Sequence, residues 1–88
     1  VNVTVIQVGP SFLGTNGDDV YLVRLDATGT TIEVYNSDTA SGTPIYTTPL
    51  AGASELTFDT LAGDDRLIID LTNGNPIPAN DISLMRHI

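Results

Sequence analysis

Two short acidic stretches of this chain have the residue types and the spacing for chemistry. Gly17-Asp18-Asp19 and Gly63-Asp64-Asp65 stand 46 residues apart, and each runs straight into a strand-like stretch, Val20-Tyr21-Leu22-Val23 and Arg66-Leu67-Ile68-Ile69. Adjacent carboxylates in a glycine-bearing turn can supply two of the several oxygens that a calcium ion needs. They can equally accept hydrogen bonds from the backbone N–H groups of the turn itself. On the calcium reading Asn16, Asp18 and Asp19 form one ligand group and Asp64 and Asp65 a second, to which Asp59 or Asp70 adds if the fold brings it near. Both stretches continue to a leucine (Leu25, Leu71) and then a glycine (Gly29, Gly74), so the layout is a turn-and-strand module used twice.

The elements that must carry these turns read as strands almost throughout. Thr, Val, Ile and Tyr are dense, and Gly, Pro, Asn and Asp punctuate them at short intervals. Residues 1–5 alternate apolar and polar, after which Ile6 and Val8 change phase, and Gly9-Pro10 closes the run. Residues 20–26 and 31–35 flank Ala27-Thr28-Gly29-Thr30 as a hairpin. Residues 36–43 have no apolar periodicity and read as a surface loop, and Ile45-Tyr46-Thr47 is a short strand ended by Pro49. Residues 55–59 place Leu56 and Phe58 on one face, a further strand lies near 66–71, and a last one near 82–85 follows the proline-stiffened turn Asn73-Gly74-Asn75-Pro76-Ile77-Pro78. About seven strands result. Two architectures accommodate them: a small antiparallel β-sandwich, favoured by the hairpin, or a β-solenoid segment with the Gly-Asp-Asp turns stacked at its corners.

Length and charge bound the class. With 88 residues, 41% of them hydrophobic, the chain has material for one core, divided here into a terminal strand (1–8) and a single β domain (9–88). A net charge of −8 and a pI near 4.1 disfavour nucleic acid and anionic membrane surfaces as partners. Arg24, Arg66 and Arg86 are the only basic residues besides His87; the absence of lysine removes Schiff-base chemistry and the Lys–Asn crosslink of many pilin domains. There is no cysteine for a disulfide or a thiolate metal site, and no run of about 20 apolar residues for membrane insertion.

The stretch Gly14-Thr15-Asn16-Gly17-Asp18-Asp19-Val20-Tyr21 resembles the repeats-in-toxin nonapeptide, Gly-Gly-x-Gly-x-Asp-x-apolar-x, at Gly14, Gly17, Asp19 and Tyr21. The second copy matches at Gly63, Asp65 and Leu67, and neither copy has the adjacent repeat that a calcium roll uses to complete its sites. Residues 14–84, including Leu71-Thr72-Asn73-Gly74-Asn75-Pro76-Ile77-Pro78, more closely resemble modules of very large tandem-repeat surface proteins of environmental bacteria such as planctomycetes. That resemblance implies secretion, tandem repetition and an adhesive or fibre-forming role, with no catalytic residue to carry over.

A fibre role also gives the first strand a task. Val1, Val3, Val5, Ile6 and Val8 make an apolar terminal strand that can add to the sheet of a neighbouring copy as readily as to its own. Asn2-Val3-Thr4 is an N-x-Thr acceptor sequence, and twelve threonines and five serines offer further sites for glycan.

Enzymatic readings fare poorly. Asp38-Thr39-Ala40-Ser41 approaches the Asp-Thr-Gly-Ser signature of aspartic proteases, but Asn36-Ser37 precedes it where an apolar strand is required. His87, the single histidine, stands next to the last residue and suits neither a triad nor a zinc site. The stronger competitor is a carbohydrate-binding module with structural calcium, for which Tyr21, Tyr35 and Tyr46 would have to form an exposed aromatic platform. The sequence thus predicts a non-enzymatic extracellular or cell-surface module that assembles with copies of itself.

Overall fold

The computed structural model describes residues 10–79 and 81–85. Those residues form seven strands in two sheets: β1 (Ser11–Leu13), β2 (Val20–Leu25), β3 (Thr31–Tyr35), β4 (Tyr46–Pro49), β5 (Leu56–Asp59), β6 (Arg66–Ile69) and β7 (Ile82–Met85). One sheet has the order β1-β5-β7 and is parallel throughout; the other has the order β4-β3-β2-β6. In the second sheet β2 and β6 are parallel, whereas β3 pairs antiparallel with both β2 and β4.

The all-β expectation therefore holds, and the antiparallel one requires correction. The β2–β3 hairpin that favours antiparallel pairing is present: Asp26 accepts bonds from the Thr28 hydroxyl and from the Thr30 and Thr31 amides, and Gly29, at φ +73°, closes the turn. The Gly-Asp-Asp turns work differently. Each carries the chain from the β1-β5-β7 sheet across to the other sheet instead of folding it back beside itself. Successive turn-and-strand units consequently return in the same direction and pair in parallel.

The register records this repetition. Ser11 pairs with Thr57 and Val20 with Arg66, the same separation as between the two acidic turns, whereas Leu56 pairs with Ile82 across a shorter stretch of chain. The first interval is longer because it contains the β3–β4 hairpin, which the first unit carries and the second lacks. β4 lies at the sheet edge, where Pro49, with no N–H to donate, ends the strand without breaking a ladder.

The core lies between the sheets. Tyr21, Val23 and Leu25 from β2, Ile32 and Val34 from β3, and Leu56 and Phe58 from β5 are all buried. The phase of Leu56 and Phe58 read from the sequence is the observed one. Phe12 of β1 stacks on Phe58 at 4.9 Å between ring centres and meets Tyr46 of β4 edge-on at 5.6 Å, while Tyr21 tilts against Phe58 at 5.3 Å. Such aromatic pairs each add about 0.5–1.5 kcal/mol beyond the area they bury. They lock the β1 end of one sheet to the hairpin of the other.

β1 is the strand that sequence reading missed. Ser11-Phe12-Leu13 is too short to show a period, and only its parallel pairing with β5 reveals it. The terminal strand read at residues 1–8 lies outside the described residues, as do Val1, Val3, Val5, Ile6 and Val8 individually.

Candidate functional site: the stacked Gly-Asp-Asp turns

The parallel register lays the two acidic turns directly on one another. The Asp64 amide donates to Asp18 Oδ1 at 2.8 Å, and the Asp19 amide donates to Asp65 Oδ1 at 2.8 Å. Each turn thus lends one carboxylate to the other's backbone. Below the pair the ladder continues, with the Arg66 amide donating to the Asp19 carbonyl at 2.8 Å.

Backbones this close leave no room for a side chain between them. A Cβ on Gly63 would stand 2.5 Å from the Gly17 carbonyl oxygen and 3.1 Å from that of Asn16, and φ at Gly63 is +103°. Gly63 is therefore glycine on two counts. Gly17 is different: its φ is not positive, and a Cβ there would meet only Thr15 Oγ1, at 3.6 Å. The matching glycines of the two copies do different work.

Within the first turn the chain satisfies itself. The Asp19 carboxylate, buried, accepts from the Thr15 amide at 2.8 Å through Oδ2 and from the Thr15 hydroxyl at 3.1 Å through Oδ1. The same hydroxyl accepts from the Gly17 amide. Gly14 makes the first of these bonds possible, since a Cβ there would lie 2.6 Å from Asp19 Oδ2. The second turn has Leu61 where the first has Thr15. Leu61 brings no hydroxyl, sits at φ +58° and turns its amide to Asp59 Oδ1 at 3.3 Å. Asp65 Oδ2 is left buried without a hydrogen-bond partner. Tyr21 lies beside both carboxylates, donating to the Leu13 carbonyl at 3.3 Å; burial, then Asp19 and Asp65, push its phenol above the ordinary value.

Family profiles, curated proteins and solved structures were compared with this chain, and none matches. The reading of the site thus rests on its geometry.

That geometry sorts the residues singled out as calcium ligands. Asp18, Asp19, Asp64 and Asp65 do converge on one corner. Asp18 and Asp65 each spend an oxygen on the facing turn's amide, and Asp19 spends both on Thr15. Asn16 contributes a carbonyl close to Gly63, Asp59 bonds the Leu61 amide, and Asp70 stands past the other end of β6 bonding Thr72. Among the described residues no three acidic or histidine side chains stand together in a way that could hold a metal ion. The donor set fits amide ties better than an ion. Asn2, the glycan acceptor, lies outside the described residues.

The aromatic platform that sugar binding would need does not form. Tyr21 and Tyr35 are buried, and Tyr46 packs on Phe12. Tyr35 instead joins Arg24 and Glu33 on the outer face of the mixed sheet, where Arg24 donates to Glu33 at 2.9 Å and its guanidinium sits 5.4 Å from the Tyr35 ring centre. No pocket opens among the described residues.

Proposed function

We propose that this chain is a structural module of a bacterial extracellular or cell-surface fibre or adhesin, a short parallel solenoid segment that works by stacking and strand pairing and carries out no catalysis. The observation that supports this reading is the reciprocal bonding of Asp18 with Asp64 and of Asp65 with Asp19 across units 46 residues apart. A chain that spends its most chemically capable side chains on joining one repeat to the next has committed them to architecture. The acidic, lysine-free composition agrees with this, as does the resemblance to tandem-repeat surface proteins.

Assembly partners are copies of the same kind of module, joined by main-chain pairing at sheet edges, with residues 1–8 as one donated strand. Glycan on Asn2 would decorate the surface, and calcium is an addition the joining itself does not require. The carbohydrate-binding alternative loses its basis with Tyr21 and Tyr35 buried. Electron microscopy of native material, combined with protease shaving of intact cells, tests the proposal. Filaments or a surface layer removed by the protease agree with it, whereas a protease-protected protein without assemblies contradicts it.

A further inference from the structure

The two ends of the stack are not equivalent. At the β1–β2 end the mixed sheet is extended by the β3–β4 hairpin, and the Asp19 carboxylate is fully engaged by Thr15. At the β6–β7 end nothing comparable is present among the described residues. Among the described residues β6 and β7 are both edge strands, as β1 and β4 are on the opposite sides of their sheets. Arg66 and Asp70 donate toward β2, so in a parallel ladder the N–H and C=O groups of Leu67 and Ile69 face away from β2, where no strand pairs with them among the described residues. In the other sheet Phe58 is 0% exposed, while Leu84, its register partner on β7, is 53% exposed.

The second turn also presents to that end the same groups that the first presents to the second. Asp18 offers its carboxylate to the Asp64 amide, and Asp19 offers its amide to the Asp65 carboxylate. The corresponding groups one unit on are the Asp64 carboxylate and the Asp65 amide, and neither has a hydrogen-bond partner among the described residues. We propose that the β6–β7 edge with the Gly63–Asp65 turn is a docking surface for a third turn-and-strand segment of the second unit's kind, delivered in line after β7. The interface it would form continues the one between the first two units.

The occupant is restricted to that kind. A first-unit turn cannot follow, because its β2 edge is taken by β3 and its Asp19 carboxylate by Thr15. The β5–β7 register fixes where the incoming glycine must fall: as far beyond Gly63 as Ile82 lies beyond Leu56. This inference rests on the structural-module reading and supplies that module with a polarity: a second-unit segment can follow the Gly63–Asp65 turn, and a first-unit segment cannot.

The test copies residues 60–70 directly after Met85, in place of residues 86–88, so that the copied glycine follows Gly63 at the spacing of the Leu56–Ile82 pair. A control inserts one further residue before the copied segment. Amide hydrogen exchange is then read at Leu67, Ile69 and Asp65. The in-register extension should slow exchange at these amides at least tenfold relative to the unextended chain and to the shifted control. Equal exchange in all three chains, or equal protection by both extensions, would overturn the docking surface. Neither result touches the question of surface location, which microscopy and shaving decide separately.

Discussion

Replacing Gly63 by alanine is the most demanding test of the stacked turns. The new methyl carbon would sit 2.5 Å from the Gly17 carbonyl oxygen and 2.7 Å from its carbon, against 3.4 Å or more for ordinary contact, so the two backbones must part by most of an ångström. Holding alanine at φ +103° costs about 1–3 kcal/mol. Parting the turns weakens two 2.8 Å hydrogen bonds, each worth about 1 kcal/mol net. The total is about 3–5 kcal/mol, a large share of the roughly 4–13 kcal/mol expected of a domain this size. Gly17→Ala is the matched control, since nothing but Thr15 Oγ1 at 3.6 Å stands near and φ is not positive. It should fall within about 0.5 kcal/mol of the parent, or gain slightly from a stiffer unfolded chain. Urea unfolding followed by circular dichroism measures both. Equal losses for the two variants, or a Gly63→Ala loss below about 1 kcal/mol, would refute the close approach.

Leu61→Asn should stabilise the chain by about 1 kcal/mol, because asparagine tolerates φ +58° better than leucine and brings a donor to the same turn as the orphaned Asp65 Oδ2; an unchanged or lowered melting temperature would contradict this. Tyr21 should make stability fall at alkaline pH. Its folded pKa is raised, so its contribution is complete below the unfolded value of about 10 and is lost as pH climbs through the folded value. Tyr21→Phe should accordingly flatten the decline of the urea midpoint above about pH 10, and an unaltered decline would rule this group out as a cause. Chelation should leave the melting temperature within about 1 °C of that in millimolar calcium, since an ion at 100 times its dissociation constant would add about 2.7 kcal/mol; a drop of several degrees with chelator would show that the turns hold an ion after all.

Much of the fold is legible in the residues. β2 announces itself by an apolar run and β3 by alternation, at a hairpin's spacing on either side of Ala27-Thr28-Gly29-Thr30, and Leu56 and Phe58 by strict period two. Pairing direction is not legible locally, because a turn that reverses a strand and one that carries it to a second sheet use the same Gly and Asp. The 46-residue recurrence marks the two turns as equivalent, but only the register shows that the strands after them run in parallel. The candidate site was found as a set of aspartates, but its inner support was not: Gly14 and Thr15 matter only through Asp19, which folds back on them. Leu61 marks the departure of the second copy from the first, visible once the two are aligned at the observed register.

Nuclear Overhauser contacts between β2 and β6 test the stacked, parallel arrangement most directly. Contacts should run in ascending order, Val20 with Arg66, Tyr21 with Leu67, Leu22 with Ile68 and Val23 with Ile69, with the Asp19 and Asp64 amides slow to exchange. Contacts in descending order, with Val20 beside Ile69, would mean an antiparallel sandwich and would remove the stacked turns on which the proposed function rests.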